Sequence, residues 1–108
     1  MTLNISFKHL DPTDAIKNYT SEKSEKLRKY FNGKTAISWN FTVEKANHIA
    51  HCHLIGNNMN YFGEATTTDL YASIDLAIDK IETQLRKHKE KIKNHHKQAK
   101  ETNEEESS

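Results

Sequence analysis

Cysteine is nearly absent from this sequence: Cys52 is the only one among 108 residues. A single thiol cannot form an internal disulfide, and an unpaired thiol is typical of the reducing cytoplasm rather than of a secreted, cross-linked scaffold. A chain of this length can bury a hydrophobic core without a cross-link or a metal ion. We therefore expect one cytoplasmic domain with an ordinary core.

Long apolar segments are also missing. The first twenty residues include Lys8, Asp11, Asp14 and Lys17, so they lack the apolar segment of a signal peptide. Elsewhere no apolar run approaches the roughly 20 residues that a membrane helix requires. We therefore expect neither a membrane span nor a membrane partner.

The recurring motifs of enzymes are not found either. The chain has three glycines and no glycine-rich phosphate loop, no serine elbow and no pair of acids in an apolar setting. Cys52 lies between His51 and His53, a composition that could activate a thiol or bind a metal ion. Neighbouring side chains of a strand point to opposite faces, however, so Cys52 cannot act together with the two histidines. We expect a buried Cys52 and no enzymatic activity, metal ion, cofactor or small-molecule substrate.

Positive charge is distributed unevenly along the chain. The net charge is +1, yet residues 80–97 contain seven basic and two acidic side chains, and residues 98–108 contain one lysine and four glutamates. Like charges one helical turn apart, such as Lys87 and Lys91, repel one another. Such a segment gains stability when a polyanion binds, so the pattern favours a nucleic-acid partner. A membrane surface fits less well, because Ile92 is the only apolar residue in the last twelve positions of the segment 80–97.

Alternating apolar residues predict four strands, at residues 2–8, 35–43, 48–55 and 59–65. The asparagine-rich turn between the last two predicts a hairpin. The alternation also divides each strand into a core face and a second face, and the second face of the third strand carries His51 and His53. The residues expected to face the core are Leu3, Ile5, Phe7, Ile37, Trp39, Phe41, Val43, Ala50, Cys52, Leu54, Tyr61, Gly63 and Ala65.

A first helix is predicted between the first two strands. Thr13 is a good N-cap, and Asp11 followed by Pro12 is the competing start. Helical spacing of apolar residues continues to about Phe31. Gly33 can take the left-handed conformation that often ends a helix.

A second, longer helix is predicted after Asp69, or after Thr68 before it. Its apolar stripe continues for about 25 residues, which corresponds to a helix on the order of 40 Å long. The C-terminal end is therefore expected to project beyond a small sheet. The stripe consists of Tyr71, Ile74, Ile78, Ile81, Leu85, His88 and Ile92. Tyr71 could stack on a base, but its place in the stripe favours a core position.

These elements predict the order β-α-β-β-β-α. A helix that connects the first two strands makes them parallel if they are neighbours, and short loops make the others antiparallel. Both helices need a sheet face on which to bury their stripes. The predicted fold class is therefore α/β (α+β), a two-layer sandwich of a four-stranded sheet with two helices on one face. Residues 1–97 form this domain, and residues 98–108 are expected to be a disordered acidic tail.

The run VEKANH at 43–48 and the run LYASIDLAIDKIETQLRKHKEKIKNHH at 70–96 closely resemble the short ribosome hibernation-promoting factors of bacteria. LNIS near the start and TDAIKNY in the first helix fit the same family, which includes the ribosome-associated inhibitor called protein Y. The resemblance spans residues 1 to 97. It implies a fold like that of a double-stranded-RNA-binding domain.

The resemblance also implies a function. Members bind the small ribosomal subunit in stationary phase or stress, over the A and P sites, where they exclude transfer RNA and messenger RNA. Short members then favour inactive ribosome dimers, and we expect a monomer away from the ribosome. The family's contact surface is basic and lies on both helices. The resemblance and the charge clusters together predict that ten basic residues bind RNA: Lys23, Lys26, Arg28, Lys29, Lys80, Arg86, Lys87, Lys89, Lys91 and Lys93.

Three alternatives are also compatible with the sequence. The acidic tail is similar to the longer tail of protein Y, a relative that opposes ribosome dimerisation. A generic double-stranded-RNA-binding module would bind free duplexes as tightly as ribosomes. A structural protein would use the apolar stripe of the second helix as a coiled coil and would self-associate without RNA.

Overall fold

The computed structural model describes the backbone of residues 1–97 and the side chains of residues 1–87. The predicted acidic tail, residues 98–108, lies outside the described residues. The elements are β1 (Thr2–Lys8), α1 (Asp14–Glu25), a short 3-10 turn (Arg28–Tyr30), β2 (Thr35–Glu44), β3 (Asn47–Gly56), β4 (Met59–Thr67) and α2 (Leu70–Lys97). In the described part of the chain, no helix is both long and apolar enough to cross a membrane.

The four strands form one sheet in the order β1-β2-β3-β4. β1 is parallel to β2 because α1 carries the chain back to the same end of the sheet, whereas β2, β3 and β4 form antiparallel hairpins. Asn57 and Asn58 both have positive φ in the turn between β3 and β4, a conformation that asparagine tolerates in two-residue hairpins. The predicted topology and fold class are confirmed.

The core lies between one face of the sheet and the two helices. Alternate residues of β2 and β3 are fully buried, including Trp39, Cys52 and Leu54, and their neighbours point to the other face. The indole of Trp39 donates a hydrogen bond of 2.9 Å to the Ser24 hydroxyl of α1, so its polar atom is satisfied within the core. Gly63 permits close packing of α2 on β4, since a Cβ there would lie 2.5 Å from the Ala77 carbonyl oxygen.

α1 begins as predicted and ends earlier than predicted. The Thr13 hydroxyl accepts a hydrogen bond from the Ile16 amide and is the N-cap. The α-helix ends at Glu25, and the chain tightens into the 3-10 turn, which places Leu27 wholly in the core. The expectation that Gly33 takes the left-handed conformation is wrong, because its φ is not positive.

α2 begins at the predicted cap, and the Asp69 carboxylate accepts a hydrogen bond from the Tyr71 amide. The expectation that Tyr71 belongs to the core is wrong: it is 37% exposed, and Leu70 takes the buried place one residue earlier. Tyr71 instead packs edge-on against Tyr19 of α1, with ring centroids 4.9 Å apart. Ile74, Ile78, Ile81 and Leu85 are buried as predicted. The side chains of His88 and Ile92 lie outside the described residues.

Candidate nucleic-acid interface

Two carboxylates of α2 hold α1 and the 3-10 turn against the long helix. The Tyr19 hydroxyl donates a hydrogen bond of 2.7 Å to Asp75, and the Tyr30 hydroxyl donates one of 2.9 Å to Glu82. Asp75 and Glu82 are seven residues apart, about two helical turns, so they lie on one flank of α2. Each tyrosine therefore joins the two helical segments by a hydrogen bond to a charged acceptor, which is stronger than one between neutral groups.

Three of the lysines that the sequence predicts to bind RNA surround the same carboxylates. The Lys23 ammonium lies 3.8 Å from Asp75 and 5.3 Å from the centre of the Tyr19 ring. The Lys26 ammonium lies 3.6 Å from one carboxylate oxygen of Glu82, and the Lys29 ammonium lies 4.0 Å from the other. Nearby on α2 is Arg86, which is exposed and close enough to affect the pKa values of Glu82 and Tyr30. We call the set Asp75, Glu82, Lys23, Lys26, Lys29 and Arg86 the helix junction.

The electrostatics of the helix junction keep Glu82 ionised. Only 13% of its side chain is exposed, and burial alone would raise the pKa of its carboxyl. The hydrogen bond from Tyr30 and three positive charges act in the opposite direction, and the net pKa is lower than the ordinary 4.5. Those charges belong to Lys26, Arg86 and Lys29. The hydrogen bond to Asp75, with a smaller contribution from burial, raises the pKa of Tyr19 to about 12.

The remaining basic residues of the predicted set are not at the helix junction. Arg28 extends from the 3-10 turn and pairs with Glu25 at 3.2 Å, with both side chains more than half exposed. Lys80 lies on the opposite flank of α2, where its ammonium donates to the Glu64 carbonyl of β4. Lys87 is exposed. Lys89, Lys91 and Lys93 belong to the helical backbone of α2, and their side chains lie outside the described residues.

The flank of α2 that carries Lys80 covers the edge of the sheet. β4 is an edge strand, and the amide of Gln84 donates a hydrogen bond of 2.7 Å to the Phe62 carbonyl beside the contact from Lys80. Edge strands expose backbone groups that can pair with another chain, and charged or polar side chains commonly block them. Lys80 therefore has a structural partner, which the charge pattern alone did not indicate.

The open face of the sheet carries the two histidines, as predicted. The His53 ring stacks on Phe62 with centroids 4.3 Å apart and planes 9° apart, and its Nε2 lies 2.9 Å from the Asn60 side-chain oxygen. Cys52 faces the core, and burial raises the pKa of its thiol to about 12, whereas a nucleophilic cysteine needs a lowered pKa. Among the described residues, no group of three or more His, Cys, Asp or Glu side chains could hold a metal ion.

Sequence reasoning missed the acids and tyrosines of this interface. Asp75 and Glu82 look like ordinary solvated positions on a charged helix, and their importance depends on which helix packs beside them. Two spacings carried the signal. Tyr19 and Lys23 are four residues apart on α1, and the two acids are seven apart on α2, so each helix presents its contact residues on one face.

The architecture defines a two-layer α+β protein whose helix layer carries clustered basic side chains paired with two acids. The family model described as "Sigma 54 modulation protein / S30EA ribosomal protein" matches residues 3–93. The chain belongs to this family, which confirms the resemblance found in the sequence.

Curated relatives and solved structures agree with this assignment. The chain is 40% identical over 91 residues to the ribosome hibernation promoting factor of Azotobacter vinelandii, covering 84% of this chain and 85% of the relative. It is 36% identical over 95 residues to the factor of the same name from Escherichia coli K12, covering 88% and 100%. The Thermus thermophilus Protein Y N-terminal domain superimposes with a TM-score of 0.77 at 27% identity, covering 82% and 99%. A ribosomal subunit interface protein from Coxiella burnetii shares the fold, with a TM-score of 0.74 at 24% identity, covering 83% and 99%.

Proposed function

We propose that this protein is a ribosome hibernation factor that acts in the cytoplasm. It binds the small ribosomal subunit at the transfer-RNA and messenger-RNA channel, over the A and P sites, and blocks translation. The observation that carries the proposal is the 40% identity, over 84% of the chain, to a ribosome hibernation promoting factor. The basic residues on α1, the 3-10 turn and α2 support the choice of a polyanionic partner.

The mechanism is occlusion without chemistry. Lysine and arginine side chains neutralise phosphates of folded ribosomal RNA and release counterions. Because the major groove of A-form RNA is too deep and narrow for side chains to read, shape and phosphate positions guide docking. The contacts of Tyr19 with Asp75 and of Tyr30 with Glu82 fix α1 and the 3-10 turn against α2. A rigid pair of helices can then present basic side chains at a fixed spacing.

We further propose that binding favours inactive ribosome dimers, and that the protein is a monomer away from the ribosome. The specific alternative is an inhibitor of the protein Y type, which opposes dimerisation. The helix sequence favours the first proposal and the acidic tail the second. Sedimentation of whole ribosomes separates them, because dimers move to a heavier peak and single ribosomes do not.

The test is sucrose-gradient sedimentation of small subunits and whole ribosomes with the unchanged protein and with Lys87→Glu/Lys91→Glu. The matched control is Lys8→Glu/Lys45→Glu, which changes the charge equally at exposed positions in β1 and the β2–β3 turn. We expect co-sedimentation with the small subunit, lost in the α2 variant and kept in the control. Unchanged protein that stays at the top of the gradient would contradict the proposal. Equal loss in both variants would show that only overall charge matters.

A generic double-stranded-RNA-binding module is the second candidate, and the basic helices are compatible with it. A competition experiment separates the two. A hibernation factor bound to small subunits should remain bound when a tenfold excess of free RNA duplex is added, because the duplex offers phosphates without the matching shape. Release at that concentration would favour the generic module.

A further inference from the structure

The three lysines of the helix junction are already paired with acids. Each of Lys23, Lys26 and Lys29 lies within 4.0 Å of a carboxylate of α2. At the helix junction, two carboxylates offset half of the four positive charges contributed by three lysines and Arg86. Besides joining the helices through the two tyrosines, these acids lower the attraction of the helix junction for phosphate.

We infer that Asp75 and Glu82 are specificity-determining residues, which restrict the helix junction to RNA whose phosphates match the fixed positions of its lysines. The inference rests on the proposed function, since it concerns how the same surface distinguishes the ribosome from other RNA. It assigns the two acids a role in selectivity in addition to their role in joining the helices.

The geometry explains how a carboxylate can select among phosphates. The Glu82 side chain is 13% exposed and recessed behind its lysines, whose side chains are 43% exposed at Lys26 and 68% exposed at Lys29. A phosphate that arrives from outside meets the ammonium groups before it meets the acid. A backbone that slides across the junction out of register approaches the carboxylate as well and is repelled. Discrimination by repelling the wrong partner is a common route to specificity.

The aromatic rings limit how far the lysines can move. Lys23 lies over the Tyr19 ring, and Lys29 lies over the Tyr30 ring at 5.5 Å. Each ring is itself fixed by its hydrogen bond to the acid that pairs with the same lysine. A lysine held by a carboxylate and a ring samples fewer positions than a free one. The spacing between positive charges is therefore partly set before RNA binds.

The experiment compares Glu82→Gln and Asp75→Asn with Glu44→Gln, which removes the same charge at an exposed end of β2. Binding of the full chain to a fluorescent 20-base-pair RNA duplex of arbitrary sequence and to purified small subunits is measured from 50 to 200 mM salt. We expect either junction variant to bind the duplex about threefold to tenfold more tightly than Glu44→Gln, with a log–log salt slope steeper by about one. Affinity for small subunits should stay unchanged or fall, so selectivity for the subunit decreases.

A purely structural role for the acids predicts a different result. In that case each junction substitution would lower thermal stability without raising duplex affinity above that of Glu44→Gln. This outcome would overturn the inference. Asp75→Asn decides the matter if Glu82→Gln does not fold, because the Asp75 side chain is 46% exposed and its loss disturbs packing less. Failure of the unchanged protein to bind small subunits would instead refute the proposed function, and the duplex measurements would still report on the acids.

Discussion

Glu82 joins α2 to the segment 26–30 through three side chains. It accepts the hydrogen bond from Tyr30 and lies close to the ammonium groups of Lys26 and Lys29. Its depressed pKa shows that these partners more than compensate for burial of the charge. Removing the carboxylate would leave the Tyr30 hydroxyl without its acceptor and two lysines without their pair. Stability and charge at the interface therefore both depend on this one side chain.

The depressed pKa of Glu82 predicts how stability depends on pH. A carboxyl whose folded pKa lies below its unfolded value of 4.5 stabilises the protein above that pH, and the contribution is lost as pH falls through the folded pKa. We expect Glu82→Gln to cost about 1–2 kcal/mol at pH 7 and to lose less stability than the unchanged protein as the pH falls below 4.5. Urea unfolding followed by circular dichroism at several pH values measures this. Parallel pH curves for the two proteins would contradict it.

At the scale of elements, the sequence predicts strands better than helix ends. Alternation identified all four strands, because one buried face gives a period of two that tertiary contacts do not change. The predicted end of α1 was wrong because the chain tightens to place Leu27 in the core and Tyr30 against Glu82. Both of these contacts depend on the position of α2. Tyr71 was assigned to the core for a similar reason: residues one apart at the edge of a stripe cannot be told apart until the neighbouring helix is known.

The stripe of α2 offers a direct test of whether it forms a core or a coiled coil. Ile78 is 1% exposed beneath the sheet, whereas Leu76 on the same helix is 46% exposed. We expect Ile78→Ala to lower the free energy of unfolding by about 2–5 kcal/mol, and Leu76→Ala to change it by less than about 0.5 kcal/mol. Urea unfolding measures both. A folded monomer in Ile78→Ala that merely fails to self-associate would favour the structural coiled-coil alternative.

At the scale of the whole molecule, the two faces differ in chemistry. The helix layer carries the charged junction, whereas the open face of the sheet carries mostly polar residues, with Glu64 among them, around the stacked rings of His53 and Phe62. The architecture, the family and the basic helices were predictable, since they follow from periodicity, charge and local motifs. The neutralising acids were not, because charge counted along the chain does not show which opposite charges meet in space. We therefore expect fewer phosphates to be neutralised than the number of basic residues suggests.

The salt dependence of ribosome binding measures that number. The predicted set contains ten basic residues: four within residues 23–29, each with an acid within 4.0 Å, and six on α2. If the six on α2 supply most of the neutralisation, the logarithm of affinity should fall against the logarithm of salt with a slope of about −5. If all ten neutralised phosphates fully, the slope would be about −9. Binding of small subunits at a series of potassium chloride concentrations distinguishes these values. A slope near zero would contradict phosphate contacts altogether, and one near −9 would mean that RNA displaces the acids from their lysines.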